Sequence, residues 1–141
     1  MEELFACALL LIVGFPVEQA YTDCVDTLFA KDPENDLLTT LIWEQNLKNA
    51  VLRVQRGIDP MRLNRERFGK CLMALLKQKY LACTNYERFA QSAYSVWRLL
   101  PYEISKENPF FYLCYADDPL GFGDEKGSRE IYEEAFNFYP P

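Results

Sequence analysis

The chain has 141 residues, half of them hydrophobic, 15% aromatic and 26% charged, with a formal net charge of −6 and an isoelectric point near 4.7. A length of this order buries roughly two thirds of the unfolded surface in one core, and the composition excludes a disordered chain. There is no histidine, which removes Ser-His-Asp and Cys-His catalysis, HExxH metalloprotease chemistry and histidine pH switching together.

The first element is the apolar run Leu4 to Val13, preceded by Glu2 and Glu3. An export signal calls for Lys or Arg ahead of the apolar run and small residues at a cleavage site, and a membrane anchor needs roughly 20 apolar residues. Glu2, Glu3, Pro16 and Glu18 fit neither. The run is therefore expected to be a buried helix over about Glu2–Val13, with its acids at the positive end of the helix dipole.

Prolines and glycines divide the rest of the chain, and the intervals have helical periodicity. A second helix is predicted from about Pro16 to Ala30, with Val17, Tyr21, Val25 (or Cys24) and Leu28 on one face. The third, and longest, is expected to run unbroken from about Asp36 to Arg56, capped by Asn35 or Asp36 and closed by Gly57. A fourth, about Asn64 to Ala82, should bury Phe68, Cys71, Leu72, Leu75, Leu76 and Tyr80.

The fifth begins at Thr84-Asn85-Tyr86-Glu87, read as a capping box, and carries the stripe Tyr86, Phe89, Ala90, Ala93, Val96 and Leu100 up to Pro101. Residues Phe110 to Tyr115 suit a short helix or a strand equally well. A last helix, about Arg129 to Phe138, is expected behind a Ser128 cap. The fold class that follows is all-α: a single-domain helical bundle or orthogonal array of about six to seven helices over residues 1–141, with an irregular aromatic C-terminal segment.

Five cysteines, Cys7, Cys24, Cys71, Cys83 and Cys114, are odd in number and set among apolar neighbours. They read as reduced core residues of a cytosolic protein. With no CxxC pair and no imidazole, no metal and no cofactor is expected. Gly121-Phe122-Gly123 is a lone GxG without the strand and helix of a dinucleotide site. No catalytic constellation emerges, so the chain is read as a non-enzyme.

Charge is unevenly placed. Residues 1–52 hold nine acids against two bases, whereas Arg53, Arg56, Arg62, Arg65, Arg67, Lys70, Lys77 and Lys79 form a basic belt over 53–79. The belt reads first as solvated helix faces paired with nearby acids, because a nucleic-acid-binding domain is normally basic overall. From Phe110 onward come nine aromatics and the acidic doublets Asp117-Asp118, Asp124-Glu125 and Glu133-Glu134.

Aromatic rings mixed with carboxylates suit a protein-facing surface that steers a basic partner. The candidate contact residues are Tyr112, Tyr115, Asp117, Asp118, Phe122, Asp124, Glu125, Tyr132 and Glu133, while Phe110, Phe111 and Phe136 are expected to complete the core. By elimination the expected role is protein binding, of the kind a small bacterial immunity or antitoxin protein performs when it covers a basic nuclease-like toxin. That is an analogy of charge and class. The alternatives are a homo-oligomeric adaptor assembled through the aromatic segment and a nucleic-acid binder using the belt; no membrane partner is expected.

Overall fold

Glu2–Ile12 forms the first helix (α1), and Leu4 through Leu10 are buried around its whole circumference. Burial of this kind is worth about 1.5–3 kcal/mol for each large side chain, upper estimates for an extended reference chain. The helix ends in a Schellman arrangement. The Phe15 N–H donates to the Leu10 carbonyl at 2.9 Å and the Gly14 N–H to the Leu11 carbonyl at 3.1 Å. Gly14 takes φ +98°, which favours glycine, and Phe15 and Leu10 are both buried beside it.

The computed structural model describes residues 1–141 and is all-α, with no strand. After α1 come α2 (Glu18–Lys31), α3 (Asp36–Trp43), α4 (Leu47–Gly57), α5 (Arg65–Ala82), α6 (Tyr86–Arg98), α7 (Tyr102–Ser105), α8 (Tyr112–Tyr115) and α9 (Glu125–Phe136). Short 3₁₀ turns cover Pro60–Arg62 and Asp118–Phe122. No helix is long and apolar enough to cross a membrane.

Nine α-helices exceed the six to seven expected, for identifiable local reasons. The unbroken helix predicted over 36–56 is two helices. Glu44 and Asn46 are extended, and the Asn46 side chain accepts the Asn49 N–H at 3.0 Å, so an asparagine cap starts α4 where continuation was expected. Residues 110–115 contain no strand; the four-residue α8 lies there, and the equally short α7 follows Pro101.

Two predicted caps also move. At α6 the cap is Asn85, accepting from the Arg88 N–H at 3.1 Å, in place of the Thr84–Glu87 box. At α9 it is Asp124, accepting from the Gly127 N–H at 2.8 Å, which starts the helix four residues before Arg129 and leaves Ser128 inside it.

Contacts gather into two compact units, Met1–Cys71 and Leu72–Pro141, with the boundary inside α5. In the first, α1 packs on α4 and α2, α2 on α3, and α3 on α4. The rings of Phe5 and Phe68 meet edge to face at 5.7 Å. Asn64 caps α5 through the Arg67 N–H, and its own N–H donates to the Glu2 carboxylate at 3.1 Å.

In the second unit α6 packs on α8, α8 on α9, and α9 on the Asp118–Phe122 turn. Its centre is a ring cluster of Tyr80, Tyr86, Phe89, Tyr132 and Phe136, with centroids from 5.2 Å (Phe89–Tyr132) to 6.4 Å (Tyr86–Phe89). The expected stripe on α6 is buried at Tyr86, Phe89, Ala90, Ala93 and Val96. All five cysteines are free; Cys7 and Cys24 are buried as expected of core residues, whereas Cys71, Cys83 and Cys114 are half-buried.

Candidate functional site

The segment that joins α8 to α9 is built for display. Asp117 precedes a 3₁₀ turn, Gly123 ends it in the left-handed region at φ +73°, and Asp124 immediately caps α9. Pro119 and Leu120 of this turn are half-buried, whereas the Phe122 ring is 91% exposed. Leaving so large an apolar ring in water forgoes burial worth roughly 1.5–3 kcal/mol.

The other candidates lie on α8, on this turn and on α9. Tyr112 and Tyr115 are half-buried on α8, with centroids 6.0 Å apart. Phe111, expected in the core, is instead 42% exposed and meets Tyr115 at 5.6 Å, so it joins the aromatic surface. Phe110 is fully buried, as a core role requires, whereas Phe136 is only half-buried, against Tyr80 and Tyr132.

The carboxylates divide by what they already do. Asp118 and Glu133 are exposed and make no ion pair or side-chain hydrogen bond. Asp117 is half-buried; that desolvation raises its carboxyl pKa, its own backbone N–H opposes the shift, and the neighbouring Asp118 charge adds to it. Asp124 is engaged as the α9 cap. Glu125 accepts from the Arg129 guanidinium at 3.1 Å, and that guanidinium lies over the Tyr86 ring at 4.2 Å and the Tyr80 ring at 5.4 Å.

Tyr132 leaves the candidate set. Its side chain is 0% exposed at the centre of the ring cluster, where burial pushes its hydroxyl pKa well above the usual tyrosine range. On α9 the spacing of Ser128, Tyr132 and Ala135 marks the inward face, a signal present in the sequence once the helix is started at Glu125.

The chain matches no family model, no curated protein and no solved structure. Function therefore has to be argued from chemistry alone.

The basic belt is partly neutralised by its neighbours. Arg53 faces Glu44 at 3.8 Å, Arg62 faces Asp59 at 3.9 Å, and Lys70 faces Glu66 at 3.3 Å. Lys77 and Lys79 fall in the second unit, the rest of the belt in the first. Such surface pairs are worth little individually, and Arg56, Lys77 and Lys79 make no ion pair.

A cleft of about 510 Å³ in the first unit is lined by Glu2, Glu3, Asp23, Lys31, Arg67 and Lys70, with Cys24 and Cys71. Burial pushes the Cys24 thiol up to about 11 and raises Cys71, and the Glu3 charge raises both further. Both stay protonated at neutral pH and are poor nucleophiles. No group of three His, Cys, Asp or Glu side chains is gathered in a metal-binding arrangement. In contrast to this cleft, the segment from α8 to α9 carries the exposed rings Phe111 and Phe122 together with the unpaired carboxylates Asp118 and Glu133 and one unpaired base, Lys126.

Proposed function

We propose that this chain works by binding another protein, and that the partner is basic. The role fits a small inhibitor of the immunity or antitoxin type, which neutralises a nuclease-like toxin by laying carboxylates over its phosphate-binding cleft. The observation that carries this reading is Phe122, 91% exposed on a turn bounded by Asp117, Asp118 and Asp124. An aromatic ring is the side chain most often found at the energetic centre of an interface, and the carboxylates around it supply the field that accelerates encounter with a cationic surface.

The reading is tested with matched baits, the wild-type chain and a Phe122→Ala/Asp118→Lys variant, used to recover partners from the native host. The expected result is a basic protein retained by the wild type and lost by the variant, with an affinity that falls steeply from low to high salt. Recovery of the same protein by both baits, or binding indifferent to salt, would remove the acidic surface from the mechanism.

A second reading, assembly of a homo-oligomer, draws on the same rings, because Phe111 and Phe122 are both exposed large hydrophobics. Sedimentation separates the two: an oligomer changes mass with concentration and loses that behaviour in Phe111→Ser/Phe122→Ser.

A further inference from the structure

The first unit carries a surface of its own, at the corner where α3 gives way to α4. Glu44-Gln45-Asn46 interrupts the helix without a proline or a glycine, although Glu and Gln are good helix formers. The interruption leaves Trp43 79%, Leu47 38% and Ile42 36% exposed. Isolated exposed hydrophobics are ordinary, but three within six residues at one corner make a patch, and places where local propensity is overridden are often functional.

Leu47 forms a shared wall between two clefts. One, about 240 Å³, runs between α2 and α3 over Tyr21, Val25, Leu41 and Ile42. The other, about 320 Å³, lies over Leu11, Ile12, Phe15 and Val51. The acids at their rims that have no ion pair are Asp26 and Glu18. Asp26 and Glu44 border the first, Glu18 and Lys48 the second, and Glu44 faces Arg53 at 3.8 Å. Across residues 1–52 there are nine acids against two bases.

We infer that the Ile42–Leu47 corner is a docking surface for a basic amphipathic segment of another protein. An apolar side chain of that segment seats in a cleft beside Leu47, Trp43 packs over it, and flanking Lys or Arg side chains meet Asp26 and Glu18. Trp contributes large contact area at low entropic cost, and the acidic rim selects positive charge while repelling anionic lipid. This surface belongs to the first unit and the Phe122 turn to the second, and the inference does not depend on that turn's role.

The test titrates the full chain, by calorimetry, with a short amphipathic Leu/Lys helical peptide, with a Leu/Glu peptide of the same apolar pattern, and with phosphatidylcholine/phosphatidylglycerol vesicles. The Leu/Lys peptide is expected to bind, to weaken by about tenfold or more on Trp43→Ala and on Asp26→Lys, and to be unaffected by Leu81→Ala, an exposed apolar side chain of the second unit. Circular dichroism of both variants should match the wild type, since Trp43 and Asp26 are exposed. The proposal is overturned if Trp43→Ala leaves peptide binding unchanged, if Leu81→Ala weakens it as much as Trp43→Ala does, or if the Leu/Glu peptide binds as well. Binding to the vesicles in place of the Leu/Lys peptide would assign the corner to lipid, and a concentration-dependent mass lost on Trp43→Ala would assign it to a second copy.

Discussion

Replacing Ser128 with alanine removes one oxygen and strands two buried groups. The Ser128 side chain is 0% exposed, and its Oγ lies 2.5 Å from the Ala116 carbonyl and 2.5 Å from the Tyr86 hydroxyl. A carbonyl cannot donate, so the single serine proton points at Ala116 and the Tyr86 O–H must be the donor to Ser128. The result is a directed chain from α6 through α9 to the end of α8, where Ala116 is the C-cap and its carbonyl belongs to the helix-terminal set that needs an outside donor.

Ser128→Ala leaves the Ala116 oxygen and the Tyr86 hydroxyl buried without those partners, at about 1–3 kcal/mol each, so a loss of roughly 2–6 kcal/mol is expected. Tyr86→Phe removes only the first donor while Ser128 keeps its bond to Ala116, and should cost about 1 kcal/mol. In the double variant the hydroxyl that Ser128→Ala strands no longer exists, so its cost should fall short of the sum by about 1 kcal/mol or more. Urea unfolding of the wild type, both single variants and the double variant measures all four corners of this cycle. A Ser128→Ala protein no less stable than Tyr86→Phe, or a strictly additive double variant, would refute the relay.

Three further outcomes are expected. Gly14→Ala should lower stability by about 1–2 kcal/mol purely through the backbone, since an added Cβ meets nothing within 4 Å; a shifted urea midpoint at constant slope checks it. Gly127→Ala would place a Cβ 2.3 Å from the Asp124 Oδ2 and so break the α9 cap, costing about 1 kcal/mol, with no further loss when Asp124→Ala is added. Stability should decline on the alkaline side. Burial raises Tyr21 and Tyr86 from 10.0 to about 12, Cys7 from 9.0 to about 12 and Cys24 from 9.0 to about 11. Because the unfolded chain loses these protons first, stability is intact below pH 9 and is lost progressively between about pH 9 and 12. A flat stability profile from pH 8 to 11 in urea titrations would contradict this.

The core was legible in the sequence wherever one helix face had to be apolar. The α6 stripe and the buried Phe68, Leu72, Leu75, Leu76 and Tyr80 of α5 follow from three- and four-residue spacing alone. Boundaries set by a single side chain were not. Asn46 looks like any polar residue on a helix until it caps a new one, and Asn85 competes with Thr84 one position away for the same role. Trp43 shows the consequence: within one continuous helix its spacing from Leu47 is that of a core pair, but α3 ends at Trp43 and buries Leu38 and Leu41, which puts Trp43 on its outer side, 79% exposed. Tyr132 and Phe111 were misplaced for a related reason, since composition identifies an aromatic segment but only the start of α9 and the short α8 decide which rings face in.

The division of labour among the carboxylates decides how the proposed acidic surface has to be probed. Asp124 and Glu125 are the most tempting reversals, yet each already stabilises its own helix. Asp124→Lys removes the α9 cap, and Glu125→Lys faces a like charge onto Arg129, which lies over the Tyr80 and Tyr86 rings. A loss of partner binding in either variant would therefore report the fold as much as the interface. Asp118 and Glu133 are exposed and have no such internal partner, so reversing them alters the field that a basic partner meets while leaving the ring cluster and the Tyr86–Ser128–Ala116 chain in place. Electrostatic steering depends on the summed field more than on any one contact. The two reversals should accordingly act mainly on the association rate, whereas Phe122→Ala, which deletes buried contact area from a formed complex, should act mainly on the rate of dissociation.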